Sequence, residues 1–319
     1  MTLLEVENLR KTFGGIVAVD GASFSVEEGT VTGLIGPNGA GKTTTFNLVS
    51  GFYEPDSGVV RYRGTDTQEL MTPSRDERAI WVSSAGVGFG TVGLAGASLS
   101  GVATPGLLAG TAVGAVAGAG IYYGQEWLRG RSDDTRRTRP FRLSQAGLAR
   151  TFQITRELQG MSVLENLMLA PKGQRGENLT QTWFNRSAVL EQEASVREEA
   201  RDMLEFLEID HLETEEAGNL SGGQRKLLEL GRILMTDPDL ILLDEPVAGV
   251  NPTLTRKLLE RLEELRDQGY SFLIVEHDME VIMNISDTII VMAEGQKLMQ
   301  GTPEEVQSDE RVIDAYLGG

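Results

Sequence analysis

The sequence predicts an α/β protein whose core is a parallel β-sheet, and three stretches lead to that prediction. A glycine-rich loop at residues 36–44 lies between a β-prone run, residues 31–35, and a helical pattern that Gly51 ends. Two other runs, residues 240–243 and 272–275, are apolar without interruption and end in acidic residues. Strands of this kind are buried on both faces, as in parallel sheets, and ligands bind at their carboxyl ends.

Length and composition narrow the class of protein. The 319 residues suffice for one large domain or two small ones, and the absence of cysteine excludes a disulfide framework and thiol chemistry. A net charge of −18 argues against a nucleic-acid-binding surface, which needs a basic stripe. This excess of acidic residues indicates either a protein adapted to a salt-rich cytoplasm or an ordinary acidic protein. The first residues alternate like a strand and do not resemble a signal peptide, so we expect an intracellular location.

The loop at residues 36–44 has two glycines separated by four residues and followed by Lys and Thr. Only a loop without bulky side chains lets many backbone N–H groups approach a triphosphate closely. We expect Lys42 to reach the β- and γ-phosphates and the Thr43 hydroxyl to hold Mg²⁺. The alternative is a glycine-rich turn that binds nothing. The predicted nucleotide-binding loop consists of Gly36, Pro37, Asn38, Gly39, Ala40, Gly41, Lys42, Thr43 and Thr44.

Residues 1–70 also contain strand patterns at residues 3–9, 22–26 and 59–62. Phe13 lies in an otherwise polar stretch that we interpret as a turn. An aromatic ring there either stacks on a flat base such as adenine or belongs to a small core.

Residues 71–140 differ in character from the rest of the chain, since no charged residue lies between Arg78 and Glu126. Two apolar runs, residues 80–99 and 107–123, flank a Pro-Gly turn signal, and glycines recur every four residues in the second. We predict a Gly/Ala-rich helical hairpin inserted into the domain. The segment 80–123 is then a membrane anchor, a hairpin closed by its own glycines, or a poorly ordered insert.

Residues 154–235 have helical patterns, beginning after Ser162, a residue type that caps helices, and including a long acidic helix at 189–207. The stretch Leu-Ser-Gly-Gly-Gln then precedes a helix predicted at residues 225–235. Ser221 can cap this helix, while Gly222 and Gly223 expose backbone amides, which makes either a second anion site or an ordinary capped helix start.

Acidic residues and a histidine follow the two apolar strands. We expect Asp244 to face the water shell of Mg²⁺ and Glu245 to take a proton from, or orient, an attacking water. His277 follows the strand predicted at 272–275 and can contact a γ-phosphate there. His211 lies in an acidic stretch and is expected to be a surface residue.

In this order, these motifs resemble the ATP-binding cassette (ABC) ATPases, whose fold has a parallel-sheet core, an antiparallel β subdomain and an α-helical subdomain. Finer stretches are similar to the LivG-type subfamily of branched-chain amino acid importers, namely Ala149-Arg150-Thr151-Phe152-Gln153, residues 245–252, 275–279 and 284–287, and the tail at 301–306 and 315–318. The resemblance covers residues 1–70 and 141–319. It implies one ABC domain over 1–319 interrupted by the insert at 71–140, which is foreign to the family pattern. The helical subdomain is then 154–235 and the C-terminal tail 295–319.

The resemblance also implies roles for individual residues. Phe13 would stack on the adenine of ATP, and Gln153 would join Thr43 and Asp244 around Mg²⁺ and relay the nucleotide state to membrane subunits. Glu245, His277 and Lys42 would be catalytic. The residues that would contact ATP held by a partner cassette are Ser221, Gly222, Gly223 and Gln224.

The implied partners are a second cassette, identical or related, two membrane permease subunits, and indirectly an extracytoplasmic binding protein, but no nucleic acid. The implied location is the cytoplasmic face of the cell membrane, with or without anchoring by residues 80–123. The implied function is ATP hydrolysis that drives import of branched-chain or related amino acids. Alternatives are a cassette for urea, amides or lipid, a non-transport ABC ATPase, and a membrane scaffold built on the hairpin.

Overall fold

The computed structural model describes residues 1–72, 140–151, 158–177 and 179–317. The chain divides into two units, Met1–Glu69 with Pro140–Gly319 and Leu70–Arg139. Nearly all described residues belong to the first unit. The predicted hairpin at 80–123 and the predicted ligand Gln153 lie outside the described residues.

The strands form two sheets within the described part of the chain. In chain order they are β1 (Thr2–Phe13), β2 (Ile16–Glu27), β3 (Val31–Ile35), β4 (Ser57–Tyr62), β5 (Thr65–Asp66), β6 (Leu148–Arg150), β7 (Leu240–Asp244), β8 (Ser271–Val275), β9 (Thr288–Ala293) and β10 (Gln296–Gly301). A four-stranded sheet has the order β2-β1-β4-β5, with antiparallel pairs. A six-stranded sheet has the order β10-β9-β3-β8-β7-β6, and all its pairs except β10–β9 are parallel.

The six-stranded sheet is the predicted buried core. Every residue of β7 and β8 is buried, which confirms the prediction from their uninterrupted apolar sequences, and the β-prone run of β3 is buried as well. These three strands are neighbours and run in the same direction. Their carboxyl ends therefore meet at one edge, where the glycine-rich loop, Glu245 and the Glu276–His277 pair follow them.

Phe13 lies at the end of a strand of the four-stranded sheet and not in the predicted turn. It is the last residue of β1 and pairs with Ile16 across a turn at Gly14 and Gly15, both with positive φ. The strand continues beyond the predicted residue 9 because β1 and β2 pair along nearly their whole length. The Phe13 ring is 42% exposed, so it is not part of a small core.

The described α-helices surround these sheets. They are α1 (Lys42–Val49), α2 (Thr67–Met71), α3 (Pro140–Gln145), α4 (Val163–Met168), α5 (Leu179–Phe184), α6 (Arg186–Phe206), α7 (Gly222–Leu234), α8 (Pro252–Asp267), α9 (Met279–Ile285), α10 (Pro303–Ser308) and α11 (Glu310–Leu317). Of these, no helix is both long enough and apolar enough to cross a bilayer.

Helices α4, α6 and α7, which come between β6 and β7 in the sequence, pack together around buried leucines such as Leu167, Leu204 and Leu230. Ser162 caps α4 as predicted, in a capping box with Glu165. Helix α7 begins at Gly222 and not at residue 225, because Ser221 already satisfies the first turn from the cap position. The start of α7 is therefore anchored by its own side chains.

Candidate active site

The loop between β3 and α1 has a backbone that only glycine can adopt at two positions. Gly36 has φ 151° and Gly41 has φ 92°. A Cβ atom at Gly36 would collide with the carbonyl oxygen of Met292, and one at Gly41 with that of Ala18. The glycines predicted to bring the backbone close to phosphate are thus required by the fold of the loop itself.

Lys42 folds back over this loop at the start of α1. Its Nζ atom donates hydrogen bonds to the carbonyl oxygens of Gly36 (2.7 Å) and Pro37 (3.1 Å). Burial lowers the pKa of Lys42, and the nearby negative charge of Glu245 opposes that shift. No side chain among the described residues caps α1, whose N-cap is Gly41. The first amides of the helix and the ammonium therefore lie together, which suits an anion.

Two oxygen ligands predicted for Mg²⁺ lie at this edge of the sheet. Thr43 is exposed in the first turn of α1, and Asp244 is the buried last residue of β7. Burial raises the pKa of Asp244, and the guanidinium of Arg150, 3.4 Å from its carboxylate, acts in the opposite direction. The described residues contain no cluster of three acidic or histidine ligands. A site with only a few hard oxygen donors fits Mg²⁺, because this ion keeps several of its water ligands and also binds the phosphates of the substrate.

Glu245 follows β7 in an unusual backbone conformation. Its φ is 49°, a left-handed value that is uncommon outside glycine and clusters at functional sites. Its N–H donates to the carbonyl of Val275 at 2.9 Å, and its carbonyl accepts a hydrogen bond from Lys226 Nζ at 2.7 Å. Lys226, on α7, also donates to the carbonyl of Ala248 at 2.8 Å. The turn that carries Glu245 is thus fixed to β8 on one side and to α7 on the other.

Glu276 and His277 complete the edge after β8. The carboxylate of Glu276, 1% exposed, accepts hydrogen bonds from the N–H groups of Val247 (3.1 Å) and His277 (3.2 Å). Burial raises the pKa of Glu276, and these two bonds oppose the shift. His277 is largely exposed, and its Nδ1 lies 3.7 Å from Oε1 of Glu245. The structure therefore brings Lys42, Asp244, Glu245 and His277 to one edge of the sheet, and Glu276 links the loops after β7 and β8.

The start of α7 is partly exposed, since Ser221 and Gly222 lie at the surface whereas Gly223 is buried. Ser221 and Gln224 cap each other, since Ser221 Oγ accepts from Gln224 N–H and Gln224 Oε1 accepts from Ser221 N–H. Gly222 has open space where a Cβ would lie, whereas Gly223 is packed against Leu254. No hydrogen bond among the described residues joins Ser221 or Gln224 to the phosphate loop of the same chain. The surface around Gly222 is open to another molecule.

Three further residues were given no role from the sequence. Tyr53 packs edge-on against Phe13, with ring centroids 5.3 Å apart, and leaves the partly exposed Phe13 ring accessible. Lys226 fixes the Glu245 turn, and Arg150 contacts Asp244. Their partners are remote in sequence, so no local pattern identifies them. Only the position of Arg150 directly before the Thr-Phe-Gln stretch gave a signal. His211 is exposed, as expected of a surface residue.

Comparisons with known proteins identify the family to which the chain belongs. The model of the ABC transporter family matches residues 19–92 and 118–248, and that of a branched-chain amino acid ATP-binding cassette transporter matches residues 296–319. The chain is 36% identical over 318 residues to a probable branched-chain amino acid transport ATP-binding protein LivG of Archaeoglobus fulgidus, covering 100% of this chain and 96% of the relative. It is 32% identical over 317 residues to the high-affinity branched-chain amino acid transport ATP-binding protein BraF of Pseudomonas aeruginosa, covering 99% and 98%.

Two solved structures are similar over both whole chains at 32% identity. One is a nucleotide-free ATP-binding cassette from an ABC transporter, with a TM-score of 0.67, and the other is such a cassette in its ADP conformation, with a TM-score of 0.66.

Proposed function

Because this chain belongs to the ABC transporter family of ATP-binding proteins, we propose that it is the ATP-hydrolysing subunit of an importer for branched-chain or related amino acids. The observation that carries the enzymatic part is the meeting of Lys42, Asp244, Glu245 and His277 at one edge of the buried sheet. The substrate class is taken from the relatives, which are named as branched-chain amino acid transport proteins.

ATP binds between the exposed Phe13 ring and the phosphate loop. Adenine stacks on Phe13, which Tyr53 supports from its edge. The triphosphate receives backbone N–H groups of residues 36–44, and Lys42 exchanges its bonds to the loop carbonyls for the β- and γ-phosphates. The exchange keeps the ammonium hydrogen-bonded in both states, so binding does not leave it buried without partners.

Hydrolysis takes place at the ends of β7 and β8. Mg²⁺, when bound, neutralises charge on the β- and γ-phosphates, and Thr43, Asp244 and Gln153 would hold it. Glu245 accepts a proton from the attacking water or orients it. His277, adjacent to Glu245, contacts the γ-phosphate. Glu276 keeps the loops that carry Glu245 and His277 in register.

Two cassettes enclose the nucleotide between them. The start of α7, with Ser221, Gly222, Gly223 and Gln224, faces outward and donates to the γ-phosphate held by the phosphate loop of the partner cassette. ATP thereby joins the cassettes and its hydrolysis releases them, which is a two-state transition biased by a ligand. The pair works on the cytoplasmic face of the membrane beneath two permease subunits, which an extracytoplasmic binding protein supplies. The insert at 71–140, predicted from sequence, adds a contact with membrane or permease.

The transport function is tested by purification from the native membrane. The tagged chain is extracted in mild detergent, and the copurifying proteins are identified by mass spectrometry. We expect a second cassette and two polytopic permeases, together with ATPase activity that a loaded amino-acid-binding protein stimulates. Copurification with ribosomes or DNA-repair proteins, and no permease, would contradict the proposal.

The partner-facing role of α7 predicts a difference between two serine caps in the same helical segment. Ser221→Ala and Ser162→Ala each remove a capping box and should each cost about 1 kcal/mol of stability. Only Ser221→Ala also removes a hydroxyl from the partner's nucleotide, so we expect its ATPase activity to fall about tenfold or more. Activity of the purified complex and thermal unfolding are measured for both variants. Equal activities at equal stability loss would remove Ser221 from the nucleotide interface.

A further inference from the structure

We infer that Arg150 is a positioning residue that ties the buried carboxylate of Asp244 to the helix that begins with Lys42, so that Asp244 faces Mg²⁺ without rearranging. This inference rests on the proposed binding of MgATP. Arg150 lies five residues after the end of α3, on strand β6, and its proposed role does not require contact with the nucleotide.

The backbone places Arg150 and Asp244 side by side. Arg150 is the last residue of β6 and pairs in parallel register with Leu242 of β7. The next residue, Thr151, extends this pairing, because its N–H donates to the carbonyl of Leu242 at 2.9 Å and its Oγ1 accepts from the N–H of Asp244 at 3.2 Å. The separation of the two charged side chains is therefore set by the sheet, which is the least deformable part of the fold.

One end of the guanidinium is firmly attached to α1. Arg150 Nη1 donates to Asn47 Oδ1 at 2.6 Å and to Ser50 Oγ at 2.7 Å. Ser50 Oγ in turn donates to the carbonyl of Phe46 at 2.8 Å, one of the last carbonyls of the helix. Because the last turn of α1 has no basic residue of its own, Arg150 supplies the positive charge that the negative end of the helix dipole favours.

Two aromatic rings fix the plane of the guanidinium. Its central carbon lies 4.6 Å from the ring centroid of Phe46 and 4.7 Å from that of Phe52. The Arg150 side chain is only 12% exposed and that of Asp244 only 5%. A planar fork held between two rings loses little conformational freedom when it binds, which a lysine could not reproduce.

The other end of the fork reaches the carboxylate. Arg150 Nη2 lies 3.4 Å from Asp244 Oδ2, a longer and weaker contact than the two made by Nη1. The charges that surround Asp244 are Arg150, Glu245 and Lys226. Arg150 thus partly neutralises a buried carboxylate that has one acidic neighbour, Glu245, and it holds one of the carboxylate oxygens while leaving the group able to interact with a metal ion. An arginine bound tightly to both oxygens would instead compete with Mg²⁺.

The test measures how much Mg²⁺ strengthens nucleotide binding. A fluorescent ATP analogue is titrated into the full chain with EDTA and with Mg²⁺, and the ratio of the two dissociation constants is the readout. For Arg150→Ala we expect unchanged binding in EDTA, since the phosphate loop is intact, and a ratio reduced about fivefold or more. Arg261→Ala is the matched control, because Arg261 also stacks on a ring, Phe206, and binds Glu208 and Glu264, away from the site. Its ratio should stay at the wild-type value.

A double-mutant cycle separates positioning from a general structural role. If Arg150 acts through Asp244, then Arg150→Ala should have no further effect on the ratio once Asp244 is replaced by Asn. An equal fall in both backgrounds, or an unchanged ratio in a folded Arg150→Ala protein, would overturn the inference. If Asp244→Asn alone leaves the ratio unchanged, then the proposed metal role of Asp244 fails, which is a different result.

A second variant covers the case in which Arg150→Ala does not fold. Asn47→Ala removes the shortest bond of the guanidinium without touching Asp244 or the phosphate loop. We expect the Mg²⁺-dependent ratio to fall about two- to threefold, with thermal unfolding close to wild type. An unchanged ratio in Asn47→Ala would contradict the attachment of Asp244 to α1 through Arg150.

Discussion

Glu245→Gln should retain MgATP binding and lose ATP turnover about 100-fold or more. Gln has the same shape as Glu, and the backbone bonds that hold residue 245 to Val275 and Lys226 do not involve its side chain. The amide cannot accept a proton from water, and that is the step assigned to this carboxylate. We would measure phosphate release under saturating MgATP and nucleotide affinity by titration, both on the purified complex.

The matched control is Glu213→Gln, which makes the same isosteric change in a surface pair with Arg201 on α6. Its turnover should equal that of the wild type. The slow Glu245→Gln protein should also accumulate as an ATP-bound pair of cassettes, visible by light scattering. If it stays monomeric in saturating MgATP with its natural partner present, then nucleotide does not join the cassettes. If it turns over normally, then Glu245 has no part in hydrolysis.

Lys42→Ala should weaken ATP binding about 100-fold. The ammonium lies within hydrogen-bonding distance of two carbonyls of the phosphate loop, and we propose that it is the positive charge that meets the triphosphate. Lys42 is only partly exposed, so the site is partly shielded from water and an ionic contact there is stronger than at the surface. Binding is measured by calorimetry with a non-hydrolysable ATP analogue and Mg²⁺.

Lys257→Ala is the control for Lys42→Ala, since Lys257 forms an exposed ion pair with Glu208 on the helical side of the molecule. Surface pairs of this type contribute little, so its affinity for nucleotide should not change. Wild-type affinity in a folded Lys42→Ala protein would contradict the phosphate-loop assignment. Loss of affinity in both variants would indicate a general loss of structure.

The sheet and the edge that carries the site could be predicted because they depend on local patterns. Wholly apolar strands are buried, and glycines with positive φ, carboxylates at strand ends and a serine before a helix each follow from short stretches. Strand β1 ends at Phe13 and not at the predicted residue 9, because strand pairing across Gly14 and Gly15 continues through polar residues that carry no strand signal. The fold class and the family are confirmed, whereas the roles of individual residues stay predictions.

What the sequence could not provide are contacts between remote elements. Arg150 reaches Asn47 and Ser50, which lie 103 and 100 residues earlier, and Lys226 reaches Glu245 and Ala248 across a helix and a strand. No periodicity or spacing predicts such pairs, since they arise only when the sheet brings separate loops together. The supporting residues of a site therefore need coordinates, even where the residues that touch ligand can be predicted.

The bond between Lys226 and the turn after β7 has a consequence for a working pair of cassettes. In the proposed pair, helix α7 contacts the neighbour's nucleotide and the turn carrying Glu245 contacts the chain's own, and the Lys226 ammonium group hydrogen-bonds the turn to α7. A movement of α7 when the neighbour's γ-phosphate leaves would therefore also move the turn that carries Glu245 in the chain's own nucleotide pocket. Hydrolysis of the two ATP molecules would then be coupled, by alternation or cooperativity, through contacts within each subunit, without a conformational change in the permease.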